Sequence, residues 1–438
     1  MKKKAVSILL SLIMTASLLA GCGTKDSVSD SGNSQGGQSS QSSSAEEKTL
    51  TFWSIATESD NMHSSYLKAI EEWESNHEGY KIKFETFENQ AYKTKIKSAV
   101  AANELPDLFF TFGGGFSQPF AESGKVLPLD DYYANYKDQL PAAALKNQTY
   151  DGKIYGSTFT TPVSVMFYNK KIFEENNLAV PTTYDELVEV SKTLRDNGYA
   201  PLFFGGADGW QHVNLLLMCT SQISDTLFDE CQNGEKAWTC DEMKQAMTNY
   251  KKLFDDGVMQ DGSLSSTSYS DGTTLFLAGQ AGMMLLGSWW AQEYTSEDVS
   301  DAVANWDYDY FYLPALEEGL SDSKAIGGVD FGYGITKNCE NPDLAWKALV
   351  SFATGEGAQE IANDMNNHLS YPNIEPDTSA MVERDGLQNV VDEFNRSGKD
   401  IAAGLVNQRI AEPTIETAIQ EAMQGLIGGT YSVDEATQ

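Results

Sequence analysis

The sequence predicts an α/β protein whose ordered part divides into two domains. Three observations carry that prediction. The segment from Leu50 to Phe112 reads strand, helix, strand, helix, strand, and a second set of the same kind starts near Val163. Beyond the N-terminal region about 390 residues remain, too many for a single hydrophobic core.

Leu50-Thr51-Phe52-Trp53-Ser54 forms the first predicted strand, followed by a polar turn and by Tyr66, Leu67, Ile70 and Trp73 at helical spacing. Tyr80 to Phe87 alternates, with Ile82, Phe84 and Thr86 on one face. Tyr92 to Ala102 is predicted helical and is ended by Pro106. Asp107 to Phe112 reads as a short buried strand running into Gly113-Gly114-Gly115. Open α/β sheets bind ligands beyond the carboxyl ends of their strands, here the turn after Trp53 and the glycines after Phe112.

The apolar run Val163 to Tyr168 feeds a helix at Lys170 to Asn176. Thr183 with Glu186 three residues on is a capping box. Pro201 to Phe204 is read as a strand leading through Gly205 and Gly206 into a loop that presents Trp210. Further helices are expected at Asp241 to Asp255, Thr273 to Ala278, Pro342 to Thr354 and Pro413 to Ile427. Asp307 to Leu313 alternates strictly and reads as a strand returning toward the first domain.

Before the ordered part, Met1-Lys2-Lys3-Lys4 and an apolar stretch of about 16 residues form a secretory signal, short for a membrane-spanning helix. Leu19-Ala20-Gly21-Cys22 resembles the bacterial lipoprotein box. The resemblance implies that the Cys22 thiol receives a diacylglyceryl group, with fatty chains such as palmitate, and becomes the mature N-terminus. From Asp26 to Lys48 nearly every residue is polar or glycine, so this tether is expected to stay disordered.

A net charge of −33 disfavours nucleic acid and polyanionic substrates and leaves neutral or cationic ligands. Cys219, Cys231, Cys240 and Cys339 are too sparse for a disulfide scaffold. Cys231 and Cys240 either close one loop or are buried free thiols. Neither a phosphate loop ending in Gly-Lys-Ser/Thr nor a His-Glu-x-x-His helix occurs, and Ser65-x-x-Lys68 and Ser321-x-x-Lys324 lack a Lys-Thr-Gly partner. Four histidines and no clustered cysteines argue against a transition-metal site, and no cofactor is expected.

The order of motifs points to a family. Trp53-Ser54, Leu105-Pro106-Asp107-Leu108-Phe109-Phe110 before the three glycines, Tyr168-Asn169-Lys170 with Val180 to Leu187, Leu277 to Met284 with Gly287-Ser288-Trp289, and Gly327 to Ile335 follow one another. The chain resembles the family 1 extracellular solute-binding proteins of ABC importers, particularly oligosaccharide-binding lipoproteins of Gram-positive bacteria. The match covers nearly all of Thr49 to Glu435. It implies a two-lobed, periplasmic-binding-protein-like fold with a hinge and an interlobe ligand cleft. Matching segments give a signal at 1–21, the anchor cysteine and linker at 22–48, a first lobe of 49–160 plus 313–365, and a second of 161–312 plus 366–438.

The implied function is capture of a neutral oligosaccharide at the outer face of the cell membrane and delivery to ABC permease subunits, by a monomer without catalysis. A surface glycosidase, or a sugar-sensing or adhesive lipoprotein of the same fold, is the alternative. A sugar ring has an apolar C–H face and a rim of hydroxyls, so its site needs aromatic platforms beside polar side chains. Phe112, Trp210, Trp289 and Phe331 are the candidate platforms, with Glu58, Asp330 and Arg409 as polar partners. Trp290 points away from its neighbour Trp289, so Trp289 is preferred. Glu58 and Arg409 stand where relatives place ligand contacts. Asp107 is read as structural, and His212 and His368 as satisfied surface or core residues.

Overall fold

The computed structural model describes residues 48–58, 60, 62–134, 145–158, 163–287, 308–324, 326–327, 332–354, 406–407 and 413–438. Alternating burial opens the chain: β1 (Lys48–Ser54) hides Leu50, Phe52 and Ser54. Phe52 is ringed by Tyr66, Phe84, Tyr333 and Phe352 at centroid distances of 5.0 to 5.9 Å. α1 (Met62–Ser75) buries Tyr66, Ala69, Ile70 and Trp73, the apolar stripe of an amphipathic helix. β2 (Tyr80–Thr86) and α2 (Asn89–Ala102) follow. The Glu88 side chain caps α2, and Asn103, left-handed at φ 60°, ends it. β3 (Leu108–Thr111), α3 (Gly114–Glu122) and α4 (Asp130–Tyr133) come next. A hairpin of β4 (Thr149–Tyr150) and β5 (Lys153–Ile154) precedes β6 (Ser157–Thr158).

β7 (Val163–Asn169) runs into α5 (Lys170–Glu175), whose first turn is closed by Ile172 N–H donating to Asn169 Oδ1 at 2.9 Å. α6 (Tyr184–Asp196) starts at the Thr183–Glu186 capping box. Glu186 accepts from Thr182 and Thr183, and these bonds hold its carboxyl below the usual range. β8 (Ala200–Phe203), α7 (Gly209–Ile223), α8 (Leu227–Gln232) and α9 (Asp241–Asp255) lead to a π-helical turn at Ser268–Thr273, α10 (Thr274–Leu277) and β9 (Ala281–Gly287). Then come β10 (Tyr308–Phe311), β11 (Ile326–Gly327), β12 (Gly332–Ile335), α11 (Pro342–Thr354), β13 (Val406–Asn407), α12 (Pro413–Ile427) and α13 (Val433–Ala436).

Two sheets result. The first has the order β2-β1-β3-β12-β6, with β1 parallel to β2 and β3 and with β12 antiparallel to both β3 and β6. The second runs β13-β11-β7-β9-β8, with β10 on β7. Each sheet has its own apolar core, one built from residues between Leu50 and Phe352, the other from Met166 to Ala436. β9 lies between β7 and β8 with every residue buried, which explains its unbroken apolar sequence. A Cβ on Gly282 would meet Leu194 Cδ1 at 2.6 Å, so α6 packs directly on the backbone of β9.

The chain leaves the first sheet after β6 and enters the second at β7, and it returns between β11 and β12. Registers Gly332↔Thr158 and Gly327↔Val163 pair the end of β6 with the start of β12 in the first sheet and the start of β7 with the end of β11 in the second. Among the described residues no helix is long and apolar enough to cross a membrane. Residues 1–47, with Cys22, lie outside the described residues.

Three sequence expectations are corrected. The alternating run after Asp307 does not return to the first sheet: β10 pairs antiparallel with β7, Tyr310 opposite Phe167. The segment from 313 to 326, expected in the first lobe, packs in the second core through Leu313, Leu316 and Ile326. Its backbone is tied to the end of α7, where Gln222 Nε2 donates to Leu313 O and Pro314 O, and Lys324 N–H donates to Ser221 Oγ. The loop expected to carry Trp210 is instead the first turn of α7, a helix buried from Gln211 to Gln222. That helix is enclosed on all sides and lacks the amphipathic stripe that marks a surface helix.

Candidate functional site

In the first sheet, β1, β2 and β3 end at Ser54, Thr86 and Thr111, with Gly332 opposite Thr111. The turn after β1 is pinned by Thr57 N–H to Ile55 O at 2.9 Å, Asp60 N–H to Thr57 O at 2.7 Å, and the His63 ring to Ala56 O at 2.8 Å. Glu58 stands exposed in this turn.

Phe112 follows β3 and is half-buried. Its ring meets Phe110 and Phe116 edge-on at 5.0 and 5.1 Å, and the Lys93 ammonium sits 4.8 Å over it. Gly113 has φ +68°, and a Cβ there would lie 2.7 Å from Gln148 Nε2 and 2.8 Å from Asn147 O. Glycine is therefore required twice over, by conformation and by close approach.

Trp53 is spent on packing. Its indole N–H donates to Glu85 Oε2 at 2.9 Å, and the Lys95 ammonium lies 4.2 Å over its ring. The bonds from Lys83 and Trp53 hold the Glu85 carboxyl below its ordinary range. Asp107 occupies the opposite end of β3, where its Oδ2 accepts from both the N–H and the hydroxyl of Thr51 at 2.8 Å. This stitches β3 to β1, in agreement with the structural reading.

The second sheet holds Trp210 differently. Gly205 to Asp208 leave β8 as a loop clamped on several sides. Gly206 N–H donates to Ser263 O at 2.8 Å, Ala207 N–H to Ser266 O at 3.0 Å, and Ser268 N–H to Asp208 Oδ2 at 2.7 Å. Gln424 Nε2 and the His212 ring both bond Gly206 O. A Cβ on Gly205 would fall 2.5 Å from Ser268 N, so this glycine serves a close approach of two loops. Behind Trp210, Gln211 Nε2 reaches Ser268 Oγ and Leu285 O. The indole of Trp210 is half-buried, with the Tyr269 ring 6.4 Å away at 39°.

Tyr269, 41% exposed in the π-helical turn, escaped the sequence reading. An isolated aromatic within a polar stretch is the signal available for it: Ser265-Ser266-Thr267-Ser268 before and Ser270-Asp271-Gly272 after. π-helical turns are frequent at functional sites.

His212 is a satisfied core residue. Nδ1 faces Tyr250 OH at 2.7 Å and Nε2 faces Gly206 O at 2.8 Å, so Nε2 carries the proton and Nδ1 accepts. Burial pushes its pKa down to about 4, and the ring is neutral near pH 7.

Trp289, Trp290, Asp330, Phe331, His368 and Arg409 lie outside the described residues. The strands next to them in sequence are placed: β9 ends at Gly287, β11 and β12 flank 328–331, and β13 ends at Asn407. Among the described residues no group of three or more His, Cys, Asp or Glu side chains is arranged to hold a metal ion.

The sequence pattern described as bacterial extracellular solute-binding protein matches residues 59–360. A Brucella abortus binding protein is 25% identical over 281 residues, 63% of this chain and 65% of that protein, so the match spans just under two thirds of that relative. The multiple sugar-binding protein of Streptococcus mutans is 21% identical over 393 residues, covering 87% of this chain and 86% of the relative. A solved structure from work on xylan utilization by Caldanaerobius polysaccharolyticus superimposes with a TM-score of 0.75 at 27% identity, over 89% of this chain and 98% of the other.

Proposed function

The chain belongs to the bacterial extracellular solute-binding proteins, and on that premise we propose that it captures a neutral oligosaccharide and delivers it unaltered to the permease subunits of an ABC importer. The observation that carries this reading is Trp210, half-buried in the first turn of α7 just after a clamped loop, with the exposed Tyr269 beside it. A flat aromatic surface held without freedom to collapse suits the C–H face of a pyranose. The names of the relatives support a sugar as the ligand class. The charge of −33 favours an uncharged sugar over a polyanionic one.

Glu58 and Phe112 are proposed as contacts from the first lobe, Trp210, Trp289 and Arg409 from the second, and Asp330 and Phe331 from the passage between them. A ligand shifts an open–closed equilibrium only by its differential affinity for the two states, so it must touch both lobes. Work as a monomer, anchored at the outer membrane face through acylated Cys22, completes the proposal.

Calorimetry against a panel of neutral oligosaccharides, followed by chromatography of the recovered sugar, tests it. Binding with unchanged ligand is expected. Shortened sugars would establish a glycosidase instead, and silence across the panel would refute the ligand class. Mass spectrometry of the N-terminal peptide from bacterial membranes should find Cys22 acylated.

A further inference from the structure

We propose that Cys231 and Cys240 form a redox modification site, closing as an intramolecular disulfide on reaction with a low-molecular-weight disulfide outside the cell. Cys231 is buried on α8, and Cys240 is the partly exposed residue immediately before α9. One carbonyl joins them: the Cys231 thiol donates to Ala237 O at 3.7 Å, and Cys240 N–H donates to the same oxygen at 3.0 Å. Lys236 draws the two helices together from outside, reaching Glu230 beside Cys231 at 3.3 Å and Glu242 near Cys240 at 3.2 Å. Both cysteines pack on the same apolar core. Burial first, and the neighbouring Cys240 thiol after it, push Cys231 up to about 12.

The other two described cysteines lack this arrangement. Cys219 is fully enclosed in α7, and Cys339 belongs to the core of the first sheet.

The chemistry balances with a small disulfide as oxidant. Cys240, the more exposed sulfur, gives up its proton and attacks one sulfur of R–S–S–R, forming a mixed disulfide and releasing one thiolate that becomes R–SH. Cys231, deprotonated in turn, attacks the Cys240 sulfur and expels the second thiol. Two electrons and two protons pass from the cysteine pair to the small disulfide, and the 231–240 loop is closed. Disulfides persist in the compartment to which the family's name assigns these proteins.

The experiment uses the full chain, reduced and then incubated with glutathione disulfide under native conditions. Free thiols are blocked after denaturation, and the digest is read by mass spectrometry without reduction. The expected result is a cross-linked peptide joining Cys231 to Cys240, with Cys219 and Cys339 blocked as free thiols. The oxidised protein should also melt at a higher temperature than the reduced one, a difference abolished in Cys240→Ser. Recovery of both cysteines as free thiols would overturn the proposal. So would a glutathione adduct that remains on Cys240 in the unsubstituted protein, because it would mean that Cys231 cannot reach it. Cys231→Ser should accumulate that adduct.

Discussion

The two sheets, proposed above as the walls of the ligand cleft, treat the aromatic residues at their strand ends in opposite ways. On the first sheet, Trp53 and Phe112 have lysine ammonium groups over their rings, and Trp53 has committed its N–H to Glu85. On the second, Trp210 stands in the first turn of α7, directly after a loop fixed by backbone bonds, and its aromatic neighbour Tyr269 is exposed. A ring covered by a cation and edge-packed by phenylalanines contributes chiefly to the fold, whereas a ring on a rigid base beside an exposed one is the platform that the proposed function assigns to the ligand. The difference teaches that aromatic residues at strand ends are not interchangeable. What lies over the face decides.

The largest expected effect comes from dismantling the base of the second wall. Gly205→Ala forces a Cβ against Ser268 and should cost about 3 kcal/mol of stability, with sugar binding lost alongside, as read by urea unfolding and calorimetry. Trp210→Ala should leave the melting curve nearly in place and weaken binding by about 2 kcal/mol, some thirtyfold. Unchanged affinity would break the contrast at its centre.

His212 supports the same wall from beneath and makes it sensitive to acid. Its folded pKa, about 4, lies below the unfolded value, so the unfolded chain binds the extra proton first. The stability it contributes is complete above the unfolded pKa and is lost as pH falls toward the folded one. Between pH 7 and pH 5 the loss should be about 2 kcal/mol, and His212→Asn should flatten that part of the pH profile. The smallest effect is expected at the first wall: Phe112→Ala should change affinity by less than about 1 kcal/mol while lowering the melting temperature. An affinity loss equal to that of Trp210→Ala would erase the distinction between the walls.

Much of the fold was legible before any coordinates. Asp241–Asp255, Pro342–Thr354 and Pro413–Ile427 are helices at the expected limits, and the Thr183–Glu186 capping box is formed. Of the candidate ligand residues, Glu58 and Phe112 lie at the expected carboxyl ends of strands, and Trp210 lies at the start of a helix rather than in a loop. The lysines over the first wall were not legible, because Lys93 and Phe112 are brought together by the packing of α2 on β3 and by nothing in their spacing.

The sequence by itself determined what depends on neighbours along the chain: period, capping and the positions where glycine interrupts an apolar run. Each is fixed within a few residues by backbone hydrogen bonding and side-chain spacing. Only the tertiary structure decided that β10 and the segment through Ile326 stay with the second sheet, that α7 is enclosed on all sides, and that Gly205 serves Ser268 rather than a turn. Those outcomes follow from burial and close approach between residues far apart in the chain, as in the 57-residue span of the Gln211–Ser268 bond. An alternating strand or an apolar helix carries no local mark of the partner against which it will pack.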